Sequence, residues 1–162
     1  MFDRETLELA TAVLAACRAR GWRLATAESC TGGLVAAALT AIAGASDVID
    51  RGFVTYSNSS KMEMLGVPEE VLAAAGAISG ETALAMAKGA LGRAKVDLAV
   101  SVTCIAGPGG GTAEKPVGLV YLGVATKVAS RSERHNFSGD RGDVRRAAVI
   151  RSLQMLADVA QG

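Results

Sequence analysis

A hydroxyl or thiol on a sharp turn is well placed to act as a nucleophile, and one stretch of this chain offers both. It is Thr26-Ala27-Glu28-Ser29-Cys30-Thr31-Gly32-Gly33, where an apolar run ends and an alanine-rich run begins. A strand turning abruptly into a helix lifts a small residue to a sheet edge, and glycines let backbone N–H groups aim outward. The positive end of the helix dipole adds to the local field. Such a turn suits an anion site, or a nucleophile beside an oxyanion pocket. Ser29 is the hydroxyl candidate. Cys30 is its thiol rival, because a helix N-terminus lowers a thiol's pKa. The N–H groups of Cys30, Thr31, Gly32 and Gly33 are the candidate binding groups. Taken alone, Ser29 and Thr31 also suit a plain helix cap, and Cys30 a small core residue.

Ser29 is a weak nucleophile without a base. The sole histidine, His135, lies between Arg134 and Asn136 in a polar stretch, which reads as surface and disfavours a Ser-His-Asp site. Lys61 remains, just beyond Tyr56-Ser57-Asn58. Neighbouring parallel strands end on one rim, where Ser29, Tyr56 and Lys61 can converge. A lysine buried there can lose its proton near neutral pH and act as general base. Alone, Lys61 equally reads as a solvated lysine at a helix start. Glu28 can orient a base or bind substrate hydroxyls, although strand alternation turns it away from Ser29.

Two further stretches reach the same rim. Ile105-Ala106-Gly107-Pro108-Gly109-Gly110-Gly111-Thr112 leaves the most apolar strand. Successive glycine N–H groups, with Gly107, Gly109 and Gly110 foremost, can form a nest for phosphate or carboxylate. No Gly-Lys-Ser/Thr ends the loop and a strand follows, so it is not a Walker A loop. Next, Phe137-Ser138-Gly139-Asp140-Arg141-Gly142-Asp143-Val144-Arg145-Arg146 leads into the last helix. Arg145 and Arg146 face different directions, so one can meet the rim while the other meets solvent; guanidinium forks suit phosphate.

The elements that must position these residues follow from periodicity and punctuation. Helices are predicted over 3–20, 31–43 (capped by Thr31), 61–65, 68–74, 79–93 (capped by Ser79) and 143–160. Strands are predicted over 22–27, 52–56, 97–105, 117–126 and 130–137. Early helical crossovers imply parallel strands and the later short links antiparallel ones. The expected fold is α/β: a single three-layer α/β/α domain over residues 1–162, on a mixed, mostly parallel sheet of about five strands.

Composition narrows the classes. The chain has 162 residues, half of them apolar, and a net charge of +1. That allows one good core and gives no global attraction for nucleic acid or an acidic membrane. No stretch suits a membrane span or secretory signal. The three cysteines, Cys17, Cys30 and Cys104, show no paired spacing. Their odd number argues against a disulfide framework and for a reducing, cytoplasmic setting. One histidine and no Cys-x-x-Cys pair make a metal site a poor fit.

Taken together, the ordered segments resemble the CinA C-terminal domain family. The pieces are Thr26 to Gly33, Gly52 with Tyr56-Ser57-Asn58 and Lys61, Gly76-Ala77-Ile78-Ser79, Val102-Thr103 with Ile105 to Gly110, Lys115-Pro116-Val117-Gly118, and Phe137 with Gly139-Asp140-Arg141 and Arg145. They cover nearly the whole chain. The resemblance implies a metal-free and cofactor-free amidohydrolase that converts nicotinamide mononucleotide to nicotinate mononucleotide and ammonia. It implies Ser29 as nucleophile and Lys61 as base, with Tyr56, Thr103 and Arg145 positioning groups at the rim. The Gly107 loop, Arg141 and Arg145 are the candidates for substrate contact. Implied partners are a small nucleotide substrate and, from the apolar content, room for a homodimer, with neither nucleic acid nor membrane. One departure stands out: Cys104 occupies a position where the family usually has glycine. The rival expectation is a catalytically silent nucleotide-binding or regulatory module.

Overall fold

The computed structural model describes all 162 residues. In chain order it contains α1 (Arg4–Arg20), β1 (Leu24–Glu28), α2 (Leu34–Thr40), a 3-10 turn (Ala45–Asp47), β2 (Ile49–Val54), α3 (Asn58–Leu65), α4 (Glu69–Ala75), α5 (Gly80–Ala94), β3 (Leu98–Cys104), β4 (Leu119–Thr126), β5 (Ser130–Asn136) and α6 (Arg141–Gln161). The sheet order is β2-β1-β3-β4-β5. β2, β1 and β3 pair in parallel, while β4 is antiparallel to both β3 and β5. The expected mixed α/β sheet is therefore present, with its parallel part at β1 and its two neighbours. The pairings divide evenly between parallel and antiparallel, although four of the five strands point the same way.

Burial explains the strand order. β1 and β3 are covered on both faces and every residue in them is buried; an unbroken apolar-or-small run is what a central parallel strand requires. β5 is polar and mostly exposed, as suits an edge. On one face α1, α2 and α6 close a core built from residues such as Leu14, Leu39, Val100, Leu122 and Leu153. On the other, α5 packs close with small residues, and a second cluster joins Ala27, Leu65, Met86, Ala90 and Ala99. Gly123 makes that approach possible: a Cβ there would lie 2.5 Å from the Ala83 carbonyl oxygen of α5.

Two helix starts bear on the site. α6 begins with a reciprocal capping box, Asp140 accepting from the Asp143 N–H and Asp143 from the Asp140 N–H. α2 begins three residues later than the sequence predicts, at Leu34 rather than Thr31. Gly32 and Gly33 adopt φ of +59° and +100°, a left-handed conformation that prolongs the turn before the helix starts.

Candidate functional site

The carboxyl ends of β1, β2 and β3 form one rim, and the chemistry-bearing residues gather on it. β1 delivers Ser29, whose N–H donates to the Val102 carbonyl of β3 at 3.0 Å. β2 runs into Thr55 and Tyr56, and Ser57 then caps α3 by accepting from the Ser60 N–H. The first turn of α3 folds Lys61 back under the rim. Its Nζ lies 3.3 Å from Ser29 Oγ, 2.9 Å from the Thr55 carbonyl and 3.5 Å from the Tyr56 carbonyl. Lys61 is 1% exposed and Ser29 8% exposed. Burial pushes the Lys61 pKa below the ordinary lysine value, because an ammonium removed from water loses hydration. A neutral amine has two N–H donors and one lone pair. The two carbonyls can take the donors and leave the lone pair for the Ser29 hydroxyl proton.

The turn after Ser29 has half of its N–H groups engaged within the protein. Glu28 is fully buried, and its carboxylate accepts from Thr31 Oγ1 (2.6 Å) and from the N–H groups of Gly33, Val35 and Ala36 (3.1, 3.1 and 2.9 Å). It thereby fills the N-terminus of α2 with the chain's own negative charge. Gly32 N–H donates to the Ser29 carbonyl. Arg145 donates from Nε to the Cys30 carbonyl (3.0 Å) and from Nη2 to the Thr31 carbonyl (3.2 Å). The N–H groups of Cys30 and Thr31 have no partner within the protein. Of the four N–H groups named from sequence, these two stay open, while those of Gly32 and Gly33 are engaged.

The other candidates sit around this centre. Thr103 Oγ1 donates to the Ala77 carbonyl at 2.8 Å, tying β3 to the segment before α5. The Tyr56 ring is 64% exposed, and its hydroxyl accepts from Arg141 Nη2 at 3.1 Å. Arg141 Nη1 donates to the Gly107 carbonyl at 2.8 Å, so one guanidinium bridges the segment after β2 and the glycine-rich loop. That loop is exposed from Pro108 to Glu114, and the N–H groups of Gly109, Gly110 and Gly111 have no protein partner. Lys115 anchors its far end by donating to the Ala75 carbonyl at 2.8 Å. Arg146 turns away to Asp3. His135 stands off the rim, bonded to Glu133 and stacked on Phe137.

The cysteine reading requires correction. Cys30 and Cys104 form a disulfide, and only Cys17 is free and buried. The bond continues the β1–β3 register: Glu28 faces Val102, an offset of 102 − 28 = 74, and 104 − 30 = 74. Parallel neighbours bring residues far apart in sequence side by side, which spacing along the chain does not reveal. The bond also removes the cysteine argument for a reducing compartment. Sequence reasoning likewise missed Glu28 as the cap of α2. The available signal was a carboxylate three residues before Thr31, at the junction of a buried strand and a helix. Thr55 was missed too; it is fully buried, its carbonyl holds Lys61, and its hydroxyl has no partner.

The mixed sheet thus places a buried serine–lysine contact at the carboxyl rim of its parallel strands. The chain belongs to the CinA C-terminal domain family, whose model matches residues 6–160. It is 51% identical over 157 residues to the nicotinamide-nucleotide amidohydrolase PncC of Escherichia coli strain K12, covering 96% of this chain and 95% of that relative. A CinA-like protein of Syntrophobacter fumaroxidans is 52% identical over 139 residues, which are 86% of this chain but 33% of that protein. The chain thus spans about a third of that relative's length. Among solved structures, the competence/damage inducible protein CihA from Agrobacterium tumefaciens superposes with a TM-score of 0.96 at 48% identity over 98% of each chain. No helix is long and apolar enough to cross a membrane.

Proposed function

We propose that this chain hydrolyses the carboxamide of a nicotinamide nucleotide, nicotinamide mononucleotide being the leading substrate, to the carboxylate and ammonia. The observation that carries the reading is the buried 3.3 Å approach of Lys61 Nζ to Ser29 Oγ, in a chain similar over nearly its full length to a relative named for that reaction. Ser29 Oγ attacks the amide carbon while Lys61 Nζ takes the hydroxyl proton. The oxyanion meets the open N–H groups of Cys30 and Thr31. The Lys61 proton goes to the departing nitrogen, the C–N bond breaks and ammonia leaves an ester on Ser29. Water then attacks that ester, giving a proton to Lys61, which returns it to Ser29 Oγ as the carboxylate product departs. Tyr56, Arg141 and the Gly107–Gly111 loop line the side from which the nucleotide enters. A homodimer belongs to this reading; a solution mass twice that of one chain would support it, and the mass of a single chain would overturn it.

The test is ammonia release from nicotinamide mononucleotide by wild type, Ser29→Ala and Lys61→Ala. We expect turnover in the wild type and a loss of about 10³-fold or more in each variant. Equal rates in all three reject the pair. Tight binding without turnover in the wild type favours a regulatory nucleotide-binding module.

A further inference from the structure

Arg145 is the arginine that sequence reasoning offers to the substrate phosphate, yet its hydrogen bonds lead elsewhere. We infer that Arg145 is a positioning residue for the oxyanion pocket: it holds and polarises the Cys30–Thr31 peptide so that the Thr31 N–H faces the reacting carbonyl. This rests on the amidohydrolase reading above. A trans peptide sets its C=O and N–H on opposite sides. With the Cys30 carbonyl drawn to Arg145 Nε at 3.0 Å, the Thr31 N–H of the same peptide must point away from the guanidinium. The second bond, to the Thr31 carbonyl at 3.2 Å, fixes the next peptide plane. A Cβ placed on Gly32 would lie 3.8 Å from Arg145 Nη2, so the guanidinium rests against the outside of the turn.

Elimination along the turn agrees. Ser29 N–H is taken by Val102, Gly32 N–H by Ser29, Leu34 N–H by Thr31, and Gly33, Val35 and Ala36 N–H by Glu28. Only Cys30 and Thr31 keep free donors, one and two residues beyond the nucleophile. Consecutive free N–H groups form an anion nest. A cation on the carbonyl side of that peptide strengthens its N–H as a donor, since hydrogen bonds in series polarise one another. The Nε–Nη2 edge of Arg145, one of the two edges open to a phosphate, is occupied by the two carbonyls. Glu28 takes the later N–H groups, so that the nest contains two donors and no more.

The experiment compares wild type, Arg145→Met and Arg145→Lys on nicotinamide mononucleotide and on nicotinamide riboside, which lacks the phosphate. We expect Arg145→Met to lower kcat about 10²-fold on both substrates, the scale of losing one oxyanion donor, with KM changed less than about threefold and Arg145→Lys recovering part of the loss. A KM rise confined to the phosphorylated substrate, with kcat intact, makes Arg145 a phosphate ligand and overturns the inference. A readout independent of amide turnover is phosphonylation of Ser29 by an alkyl fluorophosphonate. In that reaction Oγ bonds to phosphorus, fluoride leaves and Lys61 takes the hydroxyl proton. Its rate should fall about 10²-fold in Arg145→Met, and an equal rate in wild type and variant overturns the inference. If neither substrate releases ammonia from the wild type while labelling still depends on Arg145, the substrate assignment fails and the positioning role stands. Absence of labelling in the wild type removes the role itself.

Discussion

Two glycine-rich turns leave adjacent parallel strands at the same rim, and they are built in opposite ways. The turn after β1 is pinned through both kinds of backbone group: Glu28 takes its later N–H groups and Arg145 takes two of its carbonyls. The Cys30–Cys104 disulfide fastens it to β3. The loop after β3 is exposed from Pro108 to Glu114 and held mainly at its ends, by Arg141 on Gly107 and Lys115 on Ala75. Oxyanion stabilisation needs donors fixed before the reaction. Substrate capture tolerates a loop that settles on the ligand and can open again. On the proposed reading, chemistry belongs to the first turn and binding to the second, and each variant below attacks one side of that division.

The largest effect belongs to the fixed side. Lys61→Met keeps the bulk and removes the base, and turnover should fall about 10³-fold or more. In the wild type, kcat/KM should rise with pH as Lys61 loses its proton, on a limb lying below the ordinary lysine value of 10.5. Stability carries the same signature. The folded pKa is depressed, so between the folded and unfolded values the unfolded chain binds the extra proton and stability rises with pH. Denaturant titrations should therefore show the wild type gaining on Lys61→Met as pH climbs toward 10.5. A difference that stays flat with pH, or a rate limb at the ordinary value, removes the neutral-amine base.

Glu28→Ala comes next. It leaves three backbone N–H groups and the Thr31 hydroxyl without their acceptor, two of them buried and two part-buried. The expected loss is about 3 kcal/mol of stability, and Glu28→Gln should recover part of it. Cys104→Ser is smaller. Opening a covalent link across 74 residues should cost about 2 kcal/mol, read as a lower denaturant midpoint. Dithiothreitol should lower the wild-type midpoint by the same amount and leave Cys104→Ser unmoved. Activity should survive in Cys104→Ser, because Arg145 and Glu28 still hold the turn. Loss of activity on reduction would show the disulfide to be the principal restraint instead.

What the sequence made readable follows from local rules. A buried apolar run, a hydroxyl, two glycines and an alanine-rich segment dictate strand, turn and helix. Parallel strands then bring Ser29 and Lys61 to one rim. What it hid depends on register and on backbone partners. The Cys30–Cys104 pair becomes visible only once β1 and β3 are aligned at an offset of 74 residues. The acceptors of Arg145 and the donors to Glu28 are chiefly main-chain groups, which every residue carries and no residue type announces. The late start of α2 has the same origin: Thr31 has the side chain of a helix cap, but Glu28 binds its hydroxyl and the left-handed glycines displace the helix.

The mildest perturbation isolates the loop. A Cβ on Gly109 meets nothing within 4 Å, whereas one on Gly111 would lie 2.7 Å from Val117 N and one on Gly107 2.5 Å from Val117 Cγ1. Gly110 has φ of +88°, so alanine there is strained in the backbone. Gly109 alone among these adds a methyl without disturbing the fold, and removing glycine freedom from the unfolded chain stabilises by about 0.4–1 kcal/mol where the conformation permits. Gly109→Ala should therefore melt at or slightly above the wild-type temperature. If the loop holds the nucleotide, the methyl should raise KM by about threefold while kcat stays within about twofold, the pattern of lost uniform binding. A fall in kcat at constant KM would move the loop from binding to chemistry and dissolve the division between the two turns.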